Sequence, residues 1–572
     1  MGEKDIEMKQ SSIQLSTDAS SEIDLEEFVQ LALNETGFGK FNLKVMALCS
    51  LIYLNTALSI SSIGFILPSA ACDFQMSTIE KGNINIIFLI GMACGCYFWG
   101  CYAGIKGRIK TLTVSLFLQG TFEIFCSIVP HYGFFLLFKF LSGFSLSGQS
   151  GTLFVYLGEC QPTKYKETLL SWLEMAWTLG LMVSPLIGWI IIPLKFDFDT
   201  KPFVFHSWNL FVLICSLPSL IIGFWTLHFT ESPKFLAEMM QMSELAVVLG
   251  KIYSENTGNP VEKYFEILAK SENPLHKTLK MNNYENSNEE IKLNNFRANV
   301  HSMYTQTISL FKPLHIMRSL NVFILICCIT ASYYTLMLWF PELFQRFAKY
   351  EMMYPEKFAS VCKISKINQL GSNNTLMLKR DIYDCENNIH NNVFSHTFLL
   401  GLACIPLSIM LPLTVKYTGY KIYLIICTFL CTIVTIGFFF IKSSTQNLIL
   451  SCIFEALISI CMSIIFCVIV DLFPTNIRMM AIALAAFCAR LGSFVGNWLF
   501  GYLIDNYCLS LILIVATQLF CTFYSTFCVI ISLQKCIYVF LHLSIFFFFL
   551  VSFILSCLTP GRFGQTKAIK NT

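Results

Sequence analysis

Thirteen runs of mainly apolar residues, each long enough to cross a lipid bilayer, constrain this chain more than any other feature. A membrane-spanning helix needs roughly 20 apolar residues in succession. Six runs come first, at 42–70, 84–103, 111–130, 133–155, 168–193 and 207–228. Six more follow a polar stretch, at 319–341, 395–415, 420–441, 446–470, 479–503 and 508–533. The sequence therefore predicts an all-α polytopic membrane protein of twelve helices in two six-helix halves.

The thirteenth run, at 536–558, follows the twelfth after a very short link and contains no Gly. An odd helix would also move the C-terminus to the other side of the membrane. We interpret it as a peripheral extra helix or as an aberrant end of the gene model, and we assign no function to 534–572.

Charge and cysteine usage exclude most other classes of protein. Only 13% of the 572 residues are charged, whereas soluble domains carry about 25%. The net charge of +3 provides no basic surface for a nucleic acid. Most Cys lie within apolar runs, and we find no zinc-ligand spacing, nucleophile–base pair or nucleotide loop. We therefore expect no enzyme, no metal site and no cofactor.

The polar stretches divide the chain into domains. We predict an N-terminal tail at 1–36, a first bundle at 37–228, a central loop at 229–318 and a second bundle at 319–533. A short amphipathic helix near Phe28 and another at Ser243–Tyr253 are expected in the tail and in the central loop.

Lys and Arg in the short loops predict the orientation, because they are enriched on the cytoplasmic side. If the N-terminus is cytoplasmic, eight lie inside: Lys106, Arg108, Lys110, Lys164, Lys166, Lys416, Lys421 and Arg478. Four lie outside: Lys81, Lys195, Lys201 and Lys442. The count favours a cytoplasmic N-terminus and central loop.

The loop at 342–394 is then outside or luminal. It contains the sequence Asn373-Asn374-Thr375, a candidate glycosylation site at Asn373. Cys362 and Cys385 in the same loop could form a disulfide in an oxidising compartment.

Two loops at corresponding places in the halves share a pattern. Glu159 is followed by Pro162-Thr163 and Lys166, and Asp471 by Pro474-Thr475 and Arg478. Each pattern, acid-x-x-Pro-Thr with a base after it, could form an ion pair between helix ends. Such a pair would close the inner face in one state and break in another.

The loop between the second and third runs contains Gly100, Gly107, Arg108 and Lys110. This spacing resembles the loop motif of the major facilitator superfamily, which implies two bundles around a central substrate site and alternating access. Gly104 stands where that motif has Asp. The resemblance implies that Gly100, Gly107 and Arg108 contribute to an inner gate.

Four further motifs are Phe65–Asp73, Phe205–Val212, Glu231–Leu236 and Ala489–Gly496. Together they resemble the synaptic vesicle glycoprotein 2 group, near the organic cation and anion transporters, over about 37–533. The group usually has acidic residues in its first helix, where this chain offers Thr56 and Ser59.

Ionisable residues within the apolar runs are the candidates for a substrate cavity, because their insertion costs roughly 2.5–3.5 kcal/mol at mid-membrane. Arg490 and Glu455 lie near the middle of their runs and could face each other or contribute separately to a cavity. Lys139 and Glu174 are nearer the ends, so Lys139 could extend to the surface and Glu174 could pair with loop bases. Glu123 fits a packing role equally well. Aromatic candidates are Tyr333 and Tyr334.

Glycine pairs at GxxxG spacing permit close helix crossings. They are Gly91/Gly95, Gly100/Gly104 and Gly492/Gly496.

These observations predict a transporter of a small organic solute, with or without a coupling ion. The alternative is a membrane receptor or vesicle-trafficking regulator on the same fold, which the changes at 104 and in the first helix favour. We expect a multi-pass protein of the plasma membrane or an intracellular vesicle. Expected partners are the solute, the lipid bilayer and trafficking proteins at the N-terminal tail.

Overall fold

The computed structural model describes most of the chain. The residues described are 27–71, 73–194, 198–200, 203–270, 305, 307–313, 316–354, 359–365, 389–418, 420–473, 475–505 and 507–531. The apolar run at 536–558 therefore lies outside the described residues.

The first half of the chain contains a short helix and six long ones. The short helix, α1, covers 27–35. The long helices are α2 (Lys40–Ser69), α3 (Thr78–Lys106), α4 (Arg108–Ile128), α5 (Tyr132–Glu159), α6 (Thr163–Ile191) and α7 (Ser207–Thr226). The start of α3 shows how local sequence sets a boundary. Ser77 accepts a hydrogen bond from the Glu80 N–H, and the Glu80 carboxylate accepts one from the Ser77 N–H, which forms a capping box.

The described part of the central loop contains three helices and a further helical turn at 307–310, and six long helices follow. The three helices are α8 (Pro233–Glu238), α9 (Met242–Thr257) and α10 (Val261–Lys270). The long ones are α11 (Ile316–Met353), α12 (Asn391–Thr418), α13 (Tyr420–Gly437), α14 (Ser444–Leu472), α15 (Thr475–Leu503) and α16 (Cys508–Ile531). The helix expected at Ser243–Tyr253 is therefore present as α9.

The predicted all-α membrane fold is confirmed, with two local differences. Among the described residues, 11 helices are long and apolar enough to cross a membrane; the other long helix, α5, buries polar residues that include Lys139, Ser142 and Gln149. A small antiparallel hairpin, β1 (Phe198–Thr200) and β2 (Phe203–Phe205), precedes α7. Helix α11 also continues to Met353, beyond the apolar run at 319–341, because Phe344, Phe347 and Tyr350 extend its buried face.

The helices form two bundles that meet along three pairs of helices. In the first bundle α3 packs against α5, α4 against α5 and α7, and α2 against α6. In the second, α11 packs against α15, and α13 against α14 and α16. Between the bundles, α2 contacts α11, α3 contacts α15, and α6 contacts α12. By position among the long helices, α3 corresponds to α12 and α6 corresponds to α15. The pair α3–α15 therefore corresponds to the pair α12–α6, as expected for two related halves.

The two ends of the bundles are distinguished by the N-terminus. We call the end at which α2 begins the N-terminal face, and the end at which α2 finishes the opposite face. At the opposite face the halves approach closely. A Cβ on Gly64 of α2 would meet Pro341 Cγ of α11 at 2.9 Å, and the rings of Phe65 and Phe394 stack with centroids 5.5 Å apart.

A compact cap of α1, α9 and α10 covers the N-terminal face of the first bundle. Asn256 of α9 accepts a hydrogen bond from the Phe41 N–H at 3.1 Å and donates to the Gly37 carbonyl at 3.0 Å. The Tyr264 hydroxyl of α10 donates to the Ala32 carbonyl of α1 at 2.9 Å, and burial raises the pKa of this phenol. These bonds fix the start of α2 to the central loop.

Amide and hydroxyl side chains form a hydrogen-bond network inside the first bundle. The Gln119 Oε1 atom accepts hydrogen bonds from Gln149 Nε2 at 2.8 Å, Ser219 Oγ at 2.9 Å and Asn55 Nδ2 at 3.2 Å. Its Nε2 donates to Ser59 Oγ at 2.5 Å. All five side chains are buried, so the network joins α2, α4, α5 and α7 without exposing polar atoms to lipid.

The three GxxxG pairs differ in their surroundings. A Cβ on Gly91 would approach the Phe140 carbonyl oxygen of α5 to 2.2 Å, and one on Gly492 the Cys327 carbonyl oxygen of α11 to 2.1 Å. A Cβ on Gly100 or Gly104 would meet nothing within 4 Å. Two of the pairs are therefore required for close helix crossings.

We expect Gly91→Ala and Gly492→Ala each to lower the free energy of unfolding by about 1–3 kcal/mol, because the added methyl group must push two backbones apart. Thermal unfolding of the detergent-solubilised full chain measures the effect. Gly104→Ala is the matched control and should leave the melting temperature unchanged or slightly higher. Equal losses in all three variants would contradict this assignment.

Candidate substrate site between the two bundles

Aromatic side chains from both bundles meet between α2, α6 and α11. Trp177 of α6 donates its Nε1–H to the hydroxyl of Tyr333 on α11 at 2.9 Å, and both residues are buried. The Tyr53 ring of α2 lies against Trp177 with centroids 5.0 Å apart. The cluster therefore contains aromatic groups and a hydrogen-bonding group from both halves, the composition expected of a small-molecule site.

Arg490 brings a positive charge to the same region. Its Nη1 donates to the Tyr334 hydroxyl at 3.1 Å, its Cζ lies 5.5 Å from the Tyr334 ring centroid, and Cys96 of α3 is a further hydrogen-bond partner. The Tyr333 and Tyr334 rings are in edge-to-face contact at 5.0 Å. The expected group of Arg490, Tyr333 and Tyr334 is thus contiguous.

The two carboxylates of the candidate cavity have different environments. Glu174 is partly buried on α6 and lies within hydrogen-bonding reach of Ser463 on α14. Glu455 is fully buried on α14, and neither of its carboxylate oxygens has a hydrogen-bond partner among the described residues. Glu455 and Arg490 do not form an ion pair in the described structure, and their separate contribution to a cavity stays a prediction.

Lys139 lies away from this cluster, in the interior of the first bundle. Its Nζ forms an ion pair with Glu123 Oε2 of α4 at 2.6 Å, and Ser142 Oγ donates to the other oxygen at 2.5 Å. Lys139 has no exposed surface. Lys139 was expected to line the cavity or to extend to the membrane surface. It does neither, because Glu123 neutralises the Lys139 charge inside the bundle.

At the N-terminal face, the loop between α3 and α4 is built around Gly107. Its φ of +100° favours glycine, and a Cβ there would come within 2.3 Å of Glu231 Oε2. Glu231 Oε1 accepts the Arg108 N–H at 2.8 Å, and Arg108 Nη2 forms ion pairs with Glu159 at 2.9 Å and Glu238 at 3.3 Å. Sequence reasoning missed Glu231 and Glu238 as partners, although Ser232-Pro233 marks the start of α8 beside them.

Other members of the predicted inner gate are placed only in part. Glu159 is held by Arg108 and also accepts a hydrogen bond from Ser232, whereas Lys166 lies beside Gly158. The side chains of Asp471 and Arg478 lie outside the described residues. The pairing of an acid and a base within each repeated loop therefore stays a prediction.

An ion network at the opposite face joins the two bundles. Lys81 of α3 pairs with Glu342 of α11 at 2.9 Å, and Glu342 pairs with Arg346 at 3.1 Å. Arg346 also pairs with Asp505 beyond α15 at 2.8 Å and donates to Thr78 of α3 at 3.2 Å. This network was not predicted, because the apolar run ends at 341, although an acid and a base at i and i+4 signal a continuing helix.

The predicted disulfide between Cys362 and Cys385 is wrong in its second partner. Cys362 is bonded to Cys508 at the start of α16, with Cα atoms 5.3 Å apart, which is within the range for a disulfide. Cys508 was not predicted as the partner because Cys508 lies at the start of an apolar run and not in the polar loop. Cys385 and the glycosylation candidate Asn373 lie outside the described residues.

Comparison with known proteins gives consistent results at the levels of sequence and fold. The family profile described as sugar (and other) transporter matches residues 32–334, a little more than half of the chain. Synaptic vesicle glycoprotein 2C of Rattus norvegicus is 32% identical over 253 residues, which cover 43% of this chain and 35% of the relative. Synaptic vesicle glycoprotein 2A of Homo sapiens is 33% identical over 250 residues, covering 43% and 33%. The chain spans about a third of the length of these curated relatives.

Solved structures share the fold. A D-xylose-proton symporter superposes with a TM-score of 0.55 and 13% identity, covering 86% of this chain and 98% of that one. The major facilitator superfamily proton:xylose symporter XylE, bound to 6-bromo-6-deoxy-D-glucose, gives a TM-score of 0.58 and 14% identity over 84% of this chain and 94% of that one.

Lys139→Met should destabilise the protein by about 3–5 kcal/mol, because it leaves the Glu123 charge buried without a partner. The double variant Lys139→Met/Glu123→Gln should recover most of this loss, and the difference in unfolding free energies measures the coupling. Lys44→Met, which removes the exposed pair with Glu255, is the control and should cost about 0–1 kcal/mol. A double variant as unstable as Lys139→Met would show that the ion pair is not the cause.

Proposed function

Because this chain belongs to the sugar (and other) transporter family and has the fold of the major facilitator superfamily, we propose that it moves a small organic solute across a membrane by alternating access. Two bundles that can rock against each other, with a polar and aromatic region between them, are what this mechanism requires. We expect binding and conformational change without covalent chemistry.

The observation that carries the proposal is the position of the bonds between the bundles. At the opposite face, Lys81–Glu342 and Arg346–Thr78 join the halves. Deeper in the interface, Trp177–Tyr333, Thr178–Ser408 and Arg490–Cys96 do so, the second at 3.2 Å. This arrangement supports a conformation closed at the opposite face, in which a solute between the bundles would communicate with the N-terminal face.

The chemistry of the cluster supports a polar organic solute. The rings of Tyr53, Trp177 and Tyr333 offer flat apolar faces, while Arg490 and Glu174 offer a donor and an acceptor nearby. Rings of this kind can hold a sugar or another compact solute, and a few polar groups then fix its orientation. The solved relatives that share the fold are named for xylose and proton transport, so a sugar with proton coupling leads the candidates.

The chain is a multi-pass membrane protein, and we further propose that its N-terminal face is cytoplasmic. The support is the excess of Lys and Arg in the short loops at that face. We propose the plasma membrane or an intracellular vesicle as its location, with the tail available to trafficking proteins.

A thermal-shift screen of the purified full chain tests the proposed solute site. The panel contains sugars, organic cations, organic anions and nucleotides; a ligand at 100 times its dissociation constant stabilises by about 2.7 kcal/mol. We expect one class to raise the melting temperature, and Trp177→Ala or Arg490→Ala to abolish the shift.

Trp172→Ala is the matched control, since Trp172 lies on the same helix but is 39% exposed. A shift that survives both Trp177→Ala and Arg490→Ala would place the ligand elsewhere. If no compound shifts the melting temperature of demonstrably folded protein, the result would favour the hypothesis of a receptor or trafficking regulator.

The closed opposite face gives a second test. Lys81→Gln removes a contact between the bundles while leaving Glu342 paired with Arg346, so we expect the opposite face to open more often. Amide hydrogen exchange of peptides covering 78–88 and 342–350 should become about tenfold faster, corresponding to about 1.4 kcal/mol. Glu255→Gln, which breaks the exposed pair at the N-terminal face, should not change it. Unchanged exchange in Lys81→Gln would contradict this gate.

A further inference from the structure

Five polar residues form a stripe along α14. Asn447, Ser451, Glu455, Ser459 and Ser463 follow one another at steps of four residues. Each step of four residues advances about 6 Å and turns about 40°, because a helix has 3.6 residues per turn, so the stripe winds about 160° around α14 over about 24 Å. Asn447, Ser451, Glu455 and Ser459 are at most 3% exposed. We call these five residues the α14 stripe.

Several atoms of the stripe lack partners. Within the described part of the chain, both amide atoms of Asn447, the Ser451 hydroxyl and both carboxylate oxygens of Glu455 are buried without a hydrogen bond. Buried polar groups in proteins are nearly always paired with protein or water. Unpaired groups on three consecutive turns therefore point to a polar path that water can enter.

Glu455 is the only ionisable member of the stripe, and no Lys, Arg or His of the described residues is paired with it. The titratable groups that interact with it are Tyr333 of α11, Cys404 of α12, Cys431 of α13 and Cys452 of its own helix. None of these can be positively charged. Arg490 is directed to Tyr334 and Cys96 instead.

The surroundings of Glu455 fit a proton better than a metal ion. Hard cations take about six oxygen ligands, whereas three of the four neighbouring groups are thiols. An isolated carboxylate at this depth is costly when charged, and one proton on either oxygen neutralises it. Glu455 lies eleven residues from the start of α14, about 16 Å along the helix.

Other carboxylates lie near both ends of the stripe. Near Asn447, the Ser444 N–H donates to Glu351 Oε1 of α11 at 3.1 Å. At the other end Ser463 lies close to Glu174, beside the aromatic cluster. The stripe thus connects the opposite face with the region between the bundles.

We propose that Glu455 is the proton-binding site through which this protein couples proton movement to transport. Its carboxylate takes a proton from a hydronium ion on the Asn447 side, which forms an O–H bond and leaves water. It returns the proton to water on the Ser459 side, in the direction of Glu174. The coupling part of this proposal rests on the proposed transport function, whereas the binding of the proton does not.

Infrared difference spectroscopy of the full chain in lipid nanodiscs tests the site without a solute. Between about pH 5 and pH 9, we expect a carboxylic-acid carbonyl band that titrates in the wild type and is missing from Glu455→Gln. Glu255→Gln, which replaces a carboxylate at the N-terminal face away from the stripe, is the control and should keep the Glu455 band. A band that never titrates in this range, or the absence of any band sensitive to Glu455→Gln, would overturn the proposal.

The path is tested by the rate at which deuterium from the solvent shifts the same band. Ser451→Ala should slow this shift by about tenfold or more, and Ser451→Thr, which keeps a hydroxyl, should restore the wild-type rate. Equal rates in all three proteins would overturn the role of the stripe. If the solute screen fails while the band titrates, the transport proposal fails and the proton site stands.

Discussion

The membrane interior offers polar groups no water, and this constraint organises the whole structure. Helices satisfy their own backbones, so the remaining question is what each buried polar side chain bonds to. Within the first bundle the answer is complete in several places. Gln119 gathers amides and hydroxyls from four helices, and Lys139 has Glu123. These contacts make the first bundle a fixed body.

In the second bundle and at the interface, two ionisable side chains lack a partner of opposite charge among the described residues. Arg490 is bonded to a phenol and a thiol and not to an acid, and Glu455 has no partner among the described residues. Charges that are left uncompensated in a low-dielectric medium are expected at sites that exchange ions or ligands. The contrast between the paired charges of Lys139 and Glu123 and the unpaired carboxylate of Glu455 is the physical basis for locating function between the halves and along α14.

How far the sequence could predict this structure depends on the range of the interaction. The helices follow from apolar runs, and Gly107 follows from the motif spacing, because both are local. The partners of charged residues are not local. Lys139 and Glu123 lie one helix apart and could each have been assigned otherwise, and Arg346 was hidden in a segment that looked like a loop. Cys508 was not predicted as a disulfide partner because it lies in an apolar run, and its partner Cys362 is 146 residues away. Only the folded chain shows which of several equivalent partners lies within reach.

The cap at the N-terminal face has a mechanical consequence. Asn256 and Tyr264 fasten the segment before α2 to the central-loop helices, and Asn34 of α1 accepts a hydrogen bond from the Thr163 N–H at the start of α6 at 2.9 Å. These contacts are all to the first bundle and its cap. If the bundles rock, the segment before α2 moves with the first bundle. A protein attached to the tail would sense the state of the central site as a rotation, and a load on the tail would in turn bias which face is open.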